Sequence, residues 1–326
     1  MSNSTISSLN FASQQVVIYV GFFIFIGGVI GNPLTLLVFL SLRTFRESSC
    51  AFYLIAMSTI NICHLFTGTF TYIMINGFKI NWLNMSIIYC KFRAFYVQFC
   101  VLTSFSCMCL AIIDQFMATC SNPRWHQWNN IKLARYILAG TIICWILHGI
   151  PFILYYGYTV SSITGLPNCV VINAIFQKYI NFFHSCILIG VLPMTIIILF
   201  GILSYRNIQQ IAYRTIPLVR RELDKQLTVM VLVQVIFDVI AVSPLVIQSI
   251  FRAVYNTPND PLISAQLNLL GSVTTIMNNF HFVSSFYIYI CASKRFRQQF
   301  IHVLFTIYHD RLRPGNVNNN QIQPQT

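Results

Sequence analysis

The stretch VVIYVGFFIFIGGVIGNPLTLLVFLSL, residues 16–42, indicates the fold class, because none of its side chains is charged. A helix of about 20 residues is enough to cross the hydrocarbon core of a bilayer, which is about 30 Å thick. Six further mostly apolar stretches of comparable length follow at 49–74, 92–120, 131–156, 180–205, 226–255 and 262–291. The sequence therefore predicts an all-α membrane protein with a bundle of seven transmembrane helices.

The composition agrees, since 56% of the 326 residues are hydrophobic and only 8% are charged, against roughly a quarter charged in a soluble domain. No span resembles another closely, which disfavours a transporter built from inverted repeats. We expect an extracellular segment at 1–15, the helix bundle at 16–291, an amphipathic helix at 292–308 and a disordered tail at 309–326. The first segment lacks the basic residues of a cleavable signal peptide.

Basic residues stay on the cytoplasmic side of a membrane, and their distribution predicts the orientation. Fifteen of the 20 Lys and Arg residues fall in the links and tail on one side, and five fall on the other. We therefore expect an extracellular N terminus and a multi-pass protein of the plasma membrane. Two glycosylation sequons, at Asn3 and Asn84, lie on the predicted exterior. The net charge of +13 is interpreted as a cytoplasmic belt on anionic membrane lipid, and no nucleic-acid partner is predicted.

Two of the eleven cysteines differ from the rest, which lie in the spans or at their inner ends. Cys90 lies at the outer end of the third span, and Cys169 lies in the predicted outer loop that follows the fourth span. A disulfide between them would hold that loop over the mouth of the bundle. No cysteine pair or histidine cluster has the spacing of a zinc site, and no cofactor is expected.

With these features the chain resembles the rhodopsin-like G protein-coupled receptors over nearly its whole length. That family has seven spans, an extracellular N terminus and a disulfide from helix 3 to the second outer loop. Further matching positions are Gly31-Asn32, Trp82, Trp145, Pro193 and Pro244. The runs FRESSCAFY (45–53) and RRELDKQL (220–227) are most similar to a divergent invertebrate branch of receptors whose ligands are unknown.

The family has Asp-Arg-Tyr at the inner end of helix 3, where this chain has Asp114, Gln115 and Phe116. The resemblance implies a latch facing the G protein, in which Gln115 meets Asp224 of helix 6 through at most a hydrogen bond from a neutral donor. Such a bond is roughly half as strong as a charge-assisted one. The alternative for Asp114 is a helix-end carboxylate that reaches water or a nearby arginine.

Polar residues inside the spans suggest a second site. Asn61 replaces the aspartate with which the family binds sodium, and Ser104 matches a serine of the same pocket. We expect weak or no sodium binding there, with a plain hydrogen bond between the two helices as the alternative. Asp238 lies near the middle of the sixth span, where an ionisable group indicates a function. It either restores the missing acid and couples the core to a proton or cation, or is a protonated or paired structural aspartate.

Other family motifs are altered. Ala241-Val242-Ser243-Pro244 lacks the usual tryptophan, and the helix 7 motif is represented by Ser285 and Tyr289. After Cys291, apolar residues at helical spacing predict a short amphipathic eighth helix along the inner membrane surface; a soluble tail helix is the alternative. These residues are Phe296, Phe300, Val303, Leu304 and Ile307.

The ligand is not specified by the sequence. Val97 occupies the position at which amine receptors carry aspartate, and the seventh span has no lysine for retinal, so a peptide or chemosensory ligand is favoured. Arg93 and Arg252 are expected either to meet an acidic ligand group or to extend to lipid headgroups. The remaining candidates in the outer half are Gln98 and His184.

No catalytic set of residues appears, so an enzyme is not predicted. The expected function is a receptor that transmits an extracellular ligand signal to a heterotrimeric G protein. The alternative is a seven-span channel or transporter, including chemosensory channels of inverted topology.

Overall fold

A computed structural model describes residues 2–120, 123–160, 167–211, 218–254 and 260–312. Within these ranges six helices are long and apolar enough to cross a membrane, and a single two-stranded hairpin is the only sheet. The chain is therefore an all-α, multi-pass membrane protein, as the sequence predicts.

The helices follow one another along the chain with short links. The six apolar ones are α1 (Ser2–Ser41), α2 (Ser49–Gly77), α3 (Ile87–Thr119), α4 (Ile131–Tyr155), α5 (Ala174–Gln209) and α6 (Leu218–Val254). The strands β1 (Tyr156–Val160) and β2 (Pro167–Val171) lie between α4 and α5 and pair antiparallel. Three helices follow α6, namely α7 (Pro261–Asn279), α8 (Ser285–Ala292) and α9 (Lys294–Leu312). Two short helices, Arg43–Arg46 and Pro123–Trp128, lie in the links before α2 and α4.

The start of α1 differs from the prediction, because the segment at 1–15 is helical from Ser2 onward. Ser13 and Gln14, near the end of this segment, pack against other helices of the bundle. Gln14 Nε2 donates to the carbonyl of Gly77 at 2.5 Å, and the hydroxyls of Ser13 and Ser272 lie 2.7 Å apart. The apolar pattern marks only the part of this helix that begins at Val16.

The predicted span at 262–291 falls on two helices. A 3₁₀ turn, Phe280–Phe282, separates α7 from α8, and neither helix is among the six long apolar ones. A change from one helical form to another leaves carbonyl groups without their usual partners. Asn32 of α1 meets one of them, since its Nδ2 donates to the carbonyl of Phe282 at 2.9 Å. The seventh span stays a prediction.

Two helices contain wide π-helical turns. In α5 the segment Ile180–Val191 is π-helical and ends just before Pro193, which has no N–H to continue a regular helix. In α2 the segments Leu65–Thr69 and Ile73–Gly77 are π-helical. Gly68 lies in the first of these, and a Cβ there would be 2.6 Å from Nε2 of His64. The glycine therefore leaves room for the imidazole ring.

The bundle surface is apolar, as a lipid environment requires. Ile236, Ile240 and Ile247 of α6 are each more than 60% exposed, at spacings that place them on one side of a helix. The main buried cluster lies at the opposite end of the bundle from the β-hairpin. We call the two ends the hairpin end and the α9 end.

Helix α9 packs against the bundle through Phe296, which is fully buried. Gln226 of α6 fixes its start by accepting bonds from Ser293 Oγ at 3.1 Å and from the backbone N–H of Arg295 at 3.2 Å. This helix spans Lys294–Leu312 and overlaps the segment at 292–308. Its location on a membrane surface stays a prediction, and the tail from 313 onward lies outside the described residues.

Candidate functional site

At the hairpin end, a disulfide links the β-hairpin to the start of α3. Cys90 in the first turn of α3 and Cys169 of β2 form a disulfide with their Cα atoms 5.9 Å apart, which confirms the predicted pair. Ser86 begins α3 by accepting a bond from the N–H of Tyr89. Tyr158 of β1 donates its hydroxyl to the carbonyl of Leu83 at 2.6 Å. The hairpin is thus fastened to α3 and to the turn before it.

Below the hairpin, two of the predicted ligand residues meet. Gln98 of α3 and His184 of α5 are joined by a 2.9 Å hydrogen bond between Nε2 and Nδ1. The ring of His184 stacks on His148 of α4 with centroids 5.5 Å apart, and His148 Nε2 lies 2.7 Å from the hydroxyl of Tyr179. Sequence reasoning missed His148, although an ionisable residue inside a span is the signal that could have identified it.

The other predicted ligand residues have separate surroundings. Arg93 donates from Nε to the carbonyl of Thr67 on α2 at 3.3 Å. Arg252 of α6 donates to the carbonyl of Leu267 on α7 at 2.7 Å. Val97 packs against an apolar cluster that includes Val101. Both arginines therefore bind backbone carbonyls of neighbouring helices, and no contact joins them among the described residues.

A polar cluster lies in the middle of the bundle. Ser104 of α3 donates to Oδ1 of Asn61 on α2 at 2.6 Å, which is the bond between helices that the sequence predicts. Ser104 Oγ is also 3.1 Å from Nε2 of His281, in the turn between α7 and α8. His281 is fully buried. Sequence reasoning did not identify it.

Asp238 of α6 joins the same cluster from the other side. Its Oδ1 lies 3.1 Å from Nδ1 of His281 and accepts a bond from Gln234 Nε2 at 2.9 Å. Gln234 Nε2 also donates to Ser284 Oγ at 3.0 Å. The chain of contacts from Asn61 through Ser104 and His281 to Asp238 therefore links α2, α3, the turn before α8, and α6. Ser285, the residue after Ser284, is fully buried at the start of α8.

At the α9 end, Asp114 is buried and contacts the neighbouring helix α2. Its two carboxylate oxygens lie 2.7 and 2.8 Å from the hydroxyl of Ser49 on α2. The same hydroxyl is 2.8 Å from Oδ1 of Asn129, in the link before α4. Asp114 therefore helps to join α3 to α2 at this end.

Gln115 contacts α6 through Thr228. Its Oε1 accepts a bond from Thr228 Oγ1 at 2.7 Å, and both side chains are buried. The side chain of Asp224 lies outside the described residues. Thr228 follows Asp224 by four positions, and residues at this spacing share one side of a helix. That spacing is the signal by which Thr228 could have been found.

Aromatic rings also pack together at the α9 end. Phe116 packs edge-on against Phe200 of α5 with ring centroids 5.4 Å apart. Tyr289 of α8 is fully buried and packs edge-on against Phe39 and Phe296. The α9 end thus combines polar contacts between α2, α3 and α6 with a tightly packed aromatic layer.

The predicted glycosylation positions are Asn3 and Asn84. Asn84 is half-buried in the turn before α3, and the side chain of Asn3 lies outside the described residues. Among the described residues, no group of three or more His, Cys, Asp or Glu side chains is placed to hold a metal ion.

No model of a known protein family matches the chain, and no curated protein matches it either. The geometry of the bundle and its sequence are therefore the basis for a proposed function.

Proposed function

We propose that the protein is a rhodopsin-like G protein-coupled receptor with seven transmembrane helices and an eighth helix on the cytoplasmic membrane surface. In this proposal α7, the 3₁₀ turn and α8 together form the seventh span, and α9 is the eighth helix. The hairpin end faces the extracellular space, and the α9 end faces the cytoplasm. The proposed partners are an extracellular ligand, a heterotrimeric G protein and the lipids of the plasma membrane.

The disulfide between Cys90 and Cys169 is the observation that carries the proposal. It attaches the loop between the fourth and fifth helices to the start of the third, at the end of the bundle that the basic residues assign to the exterior. Disulfides persist in oxidising compartments, so the bond agrees with that assignment. It also confines the entrance to the bundle, which suits recognition of an extracellular ligand.

The contacts at the α9 end support coupling to a G protein. Gln115 and Thr228 join α3 to α6 through a neutral hydrogen bond, and Asp114 joins α3 to α2. A ligand can shift a two-state protein only by the difference of its affinities for the two states. Because a neutral hydrogen bond is a small barrier to separating α3 from α6, a ligand needs only a modest difference in affinity for the two states to shift the protein from one to the other.

The side chains near the hairpin end narrow the ligand class. Val97 offers no charge to an amine, while Gln98, His184, His148 and Tyr179 form a polar and aromatic cluster. We propose that a peptide or an uncharged chemosensory ligand contacts this cluster. Arg93 and Arg252 bind backbone carbonyls, and an acidic ligand group would have to compete with these bonds.

A ligand screen with G protein dissociation as the readout tests the function. Cells that express the chain are compared with cells that lack it, with peptide and chemosensory libraries and without any ligand. We expect at least one G protein class to dissociate only in expressing cells. Ion currents in the absence of G protein dissociation would favour a seven-span channel instead.

Topology separates the two functions independently of any ligand. A tag at the N terminus should bind antibody on intact cells, because the proposed receptor has its N terminus outside. A tag at the C terminus should bind only after permeabilisation. The reverse pattern would indicate the inverted topology of the chemosensory channels and would overturn the proposal.

A further inference from the structure

Asp238 and His281 form a buried pair of ionisable side chains in the middle of the bundle. Their exposed fractions are 1% and 0%, and Asp238 Oδ1 lies 3.1 Å from His281 Nδ1. The imidazole stacks on Phe105 of α3 with centroids 4.2 Å apart and meets Phe282 edge-on at 4.9 Å. Because aromatic rings enclose it, the imidazole cannot turn away from Asp238 without disturbing the packing.

The hydrogen bonds around His281 determine which of its nitrogens carries a proton. The single hydroxyl proton of Ser104 is donated to Asn61 Oδ1 at 2.6 Å. Ser104 Oγ must therefore accept the bond from His281 Nε2, 3.1 Å away. Nε2 is thus protonated, and a neutral imidazole would present a lone pair at Nδ1 to an oxygen of Asp238. Two acceptors at this distance repel unless a proton lies between them.

We propose that Asp238 and His281 together bind one proton, so that the pair has no net charge inside the membrane-spanning core. The proton is located either on Nδ1, giving an imidazolium beside a carboxylate, or on Asp238, giving a carboxylic acid beside a neutral imidazole. Without this proton the pair would carry a net negative charge, which is costly at this depth. No Lys or Arg among the described residues forms an ion pair with Asp238 that could offset such a charge.

Among the described residues, the imidazole that lies against the carboxylate of Asp238 is that of His281. The electrostatic neighbours of the pair are His64 on α2, Cys109 on α3 and Tyr289 on α8, with Arg93 beyond His64. Asn32 of α1 and the side chains of Ile189 and Met194 on α5 complete the surroundings and are uncharged. The proton therefore belongs to the Asp238–His281 pair.

The bound proton connects two elements of the bundle. Asp238 lies on α6 and His281 on the turn between α7 and α8, and a hydrogen bond of 3.0 Å from Gln234 to Ser284 joins the same two elements. Loss of the proton would leave a carboxylate facing a lone pair, so the first of these contacts would become repulsive. The pair is thus a proton-dependent clamp between α6 and the α7–α8 turn. This property does not depend on the proposed receptor function.

The pH dependence of unfolding tests the proposal. In the unfolded chain an aspartate titrates near pH 3.9 and a histidine near about 6.5, so above about pH 6.5 neither keeps the proton that the folded pair holds. Unfolding then releases one proton, and stability decreases as the pH rises. The ratio of folded to unfolded protein should fall by up to about tenfold per pH unit, until the folded pair also loses its proton.

The experiment compares thermal unfolding of purified full-length variants in detergent from about pH 6.5 to about pH 8.5. Asp238→Asn cannot share a proton with His281, so it should lose this pH dependence. Asp114→Asn is the matched control, because Asp114 is also buried and accepts a hydrogen bond from the hydroxyl of Ser49. The control should keep the dependence of the wild-type protein. Identical slopes for the wild-type protein and Asp238→Asn would overturn the proposal.

Two further measurements keep the proposal testable if Asp238→Asn does not fold. Infrared spectra of the wild-type protein over the same pH range should contain the carbonyl band of a buried carboxylic acid or the ring bands of an imidazolium. The absence of both would overturn the proposal. Replacing sodium by choline at constant ionic strength should leave the wild-type unfolding curve unchanged. A sodium-dependent curve would identify a cation site instead and would also overturn it.

Discussion

Gln115 is a neutral side chain in a buried contact between two helices, and its Oε1 accepts a bond from Thr228. Thr228→Val keeps the shape of the side chain but removes the hydroxyl. The amide oxygen of Gln115 then loses a partner in a buried site, which costs about 1–3 kcal/mol. We expect a lower unfolding temperature in detergent and, if the proposed function holds, higher G protein dissociation without ligand.

The control for this variant is Thr59→Val. The hydroxyl of Thr59 is exposed and bonds only to the carbonyl of Ile55, one turn earlier in the same helix. We expect little change in unfolding temperature or basal signalling. An equal effect of both variants would mean that loss of a threonine hydroxyl matters by itself and that the bond to Gln115 does not.

Gly68 gives a second prediction for a single residue. In Gly68→Ala the new Cβ would lie 2.6 Å from Nε2 of His64, and that ring is stacked on Phe282 with centroids 3.8 Å apart. Because the ring has little freedom to move, the strain should destabilise the protein by about 1–3 kcal/mol. The measurement is the unfolding temperature of the purified variant.

Gly140→Ala is the matched control, since no atom lies within 4 Å of a Cβ at that position. Alanine is a better helix former than glycine by about 1 kcal/mol, so this variant should be neutral or slightly more stable. A similar loss of stability in both variants would contradict the steric explanation for Gly68.

Single polar residues were predicted from the sequence only where their type is unusual in a membrane span. Asp238 is conspicuous because a carboxylate at that depth is costly. Its partner His281 was missed because the run from Asn278 to Ser285 has polar side chains at several neighbouring positions. The sequence does not show which of them point into the bundle. That direction depends on the 3₁₀ turn at Phe280–Phe282.

At the scale of elements, the disulfide ties the hairpin to α3 across a sequence separation of 79 residues. Closing a loop of this length restricts the unfolded chain and stabilises the folded one by about 4 kcal/mol in the chain-entropy model. Cys90→Ser, Cys169→Ser and the double variant should therefore lower the unfolding temperature by the same amount. A thiol-reactive probe should label each single variant but not the wild-type pair.

Cys144→Ser is the control for these cysteine variants. Cys144 is a free and exposed cysteine in α4, so its loss should leave the unfolding temperature nearly unchanged. If the double variant were much less stable than either single variant, the two cysteines would act separately and not through one bond.

Helix boundaries and helix types were predicted less well than the existence of the helices. The apolar pattern located α3 and α4 within a few residues, but it placed the start of α1 too late because hydropathy does not register the contacts of Ser13 and Gln14. It contains no signal for the π-helical turns of α2. Those turns depend on how His64, Gly68 and their neighbours pack.

At the scale of the whole molecule, the two sequons test the orientation. If the hairpin end is extracellular, Asn3 and Asn84 are on the side where sugars are attached. We expect glycosidase treatment of protein from eukaryotic cells to increase its gel mobility. Asn3→Gln and Asn84→Gln should each remove one glycan, and the double variant should be insensitive to the enzyme.

Asn129→Gln is a suitable control, because Asn129 does not begin a sequon and lies at the α9 end near Ser49. Its glycan pattern should match that of the wild-type protein. Glycosidase sensitivity that persists in the double variant would show that another part of the chain carries sugar and would remove this support for the orientation.

The hydrogen bond from Asn32 to the carbonyl of Phe282 also limits how the molecule can deform. In hydrocarbon no water is present to replace this bond, so α1 cannot separate from the α7–α8 turn without leaving a buried carbonyl unpaired. The two elements should therefore move as one rigid body. Hinge motions of the bundle are then expected in α5 and α6, where Pro193 and Pro244 already interrupt the regular hydrogen bonding of the backbone.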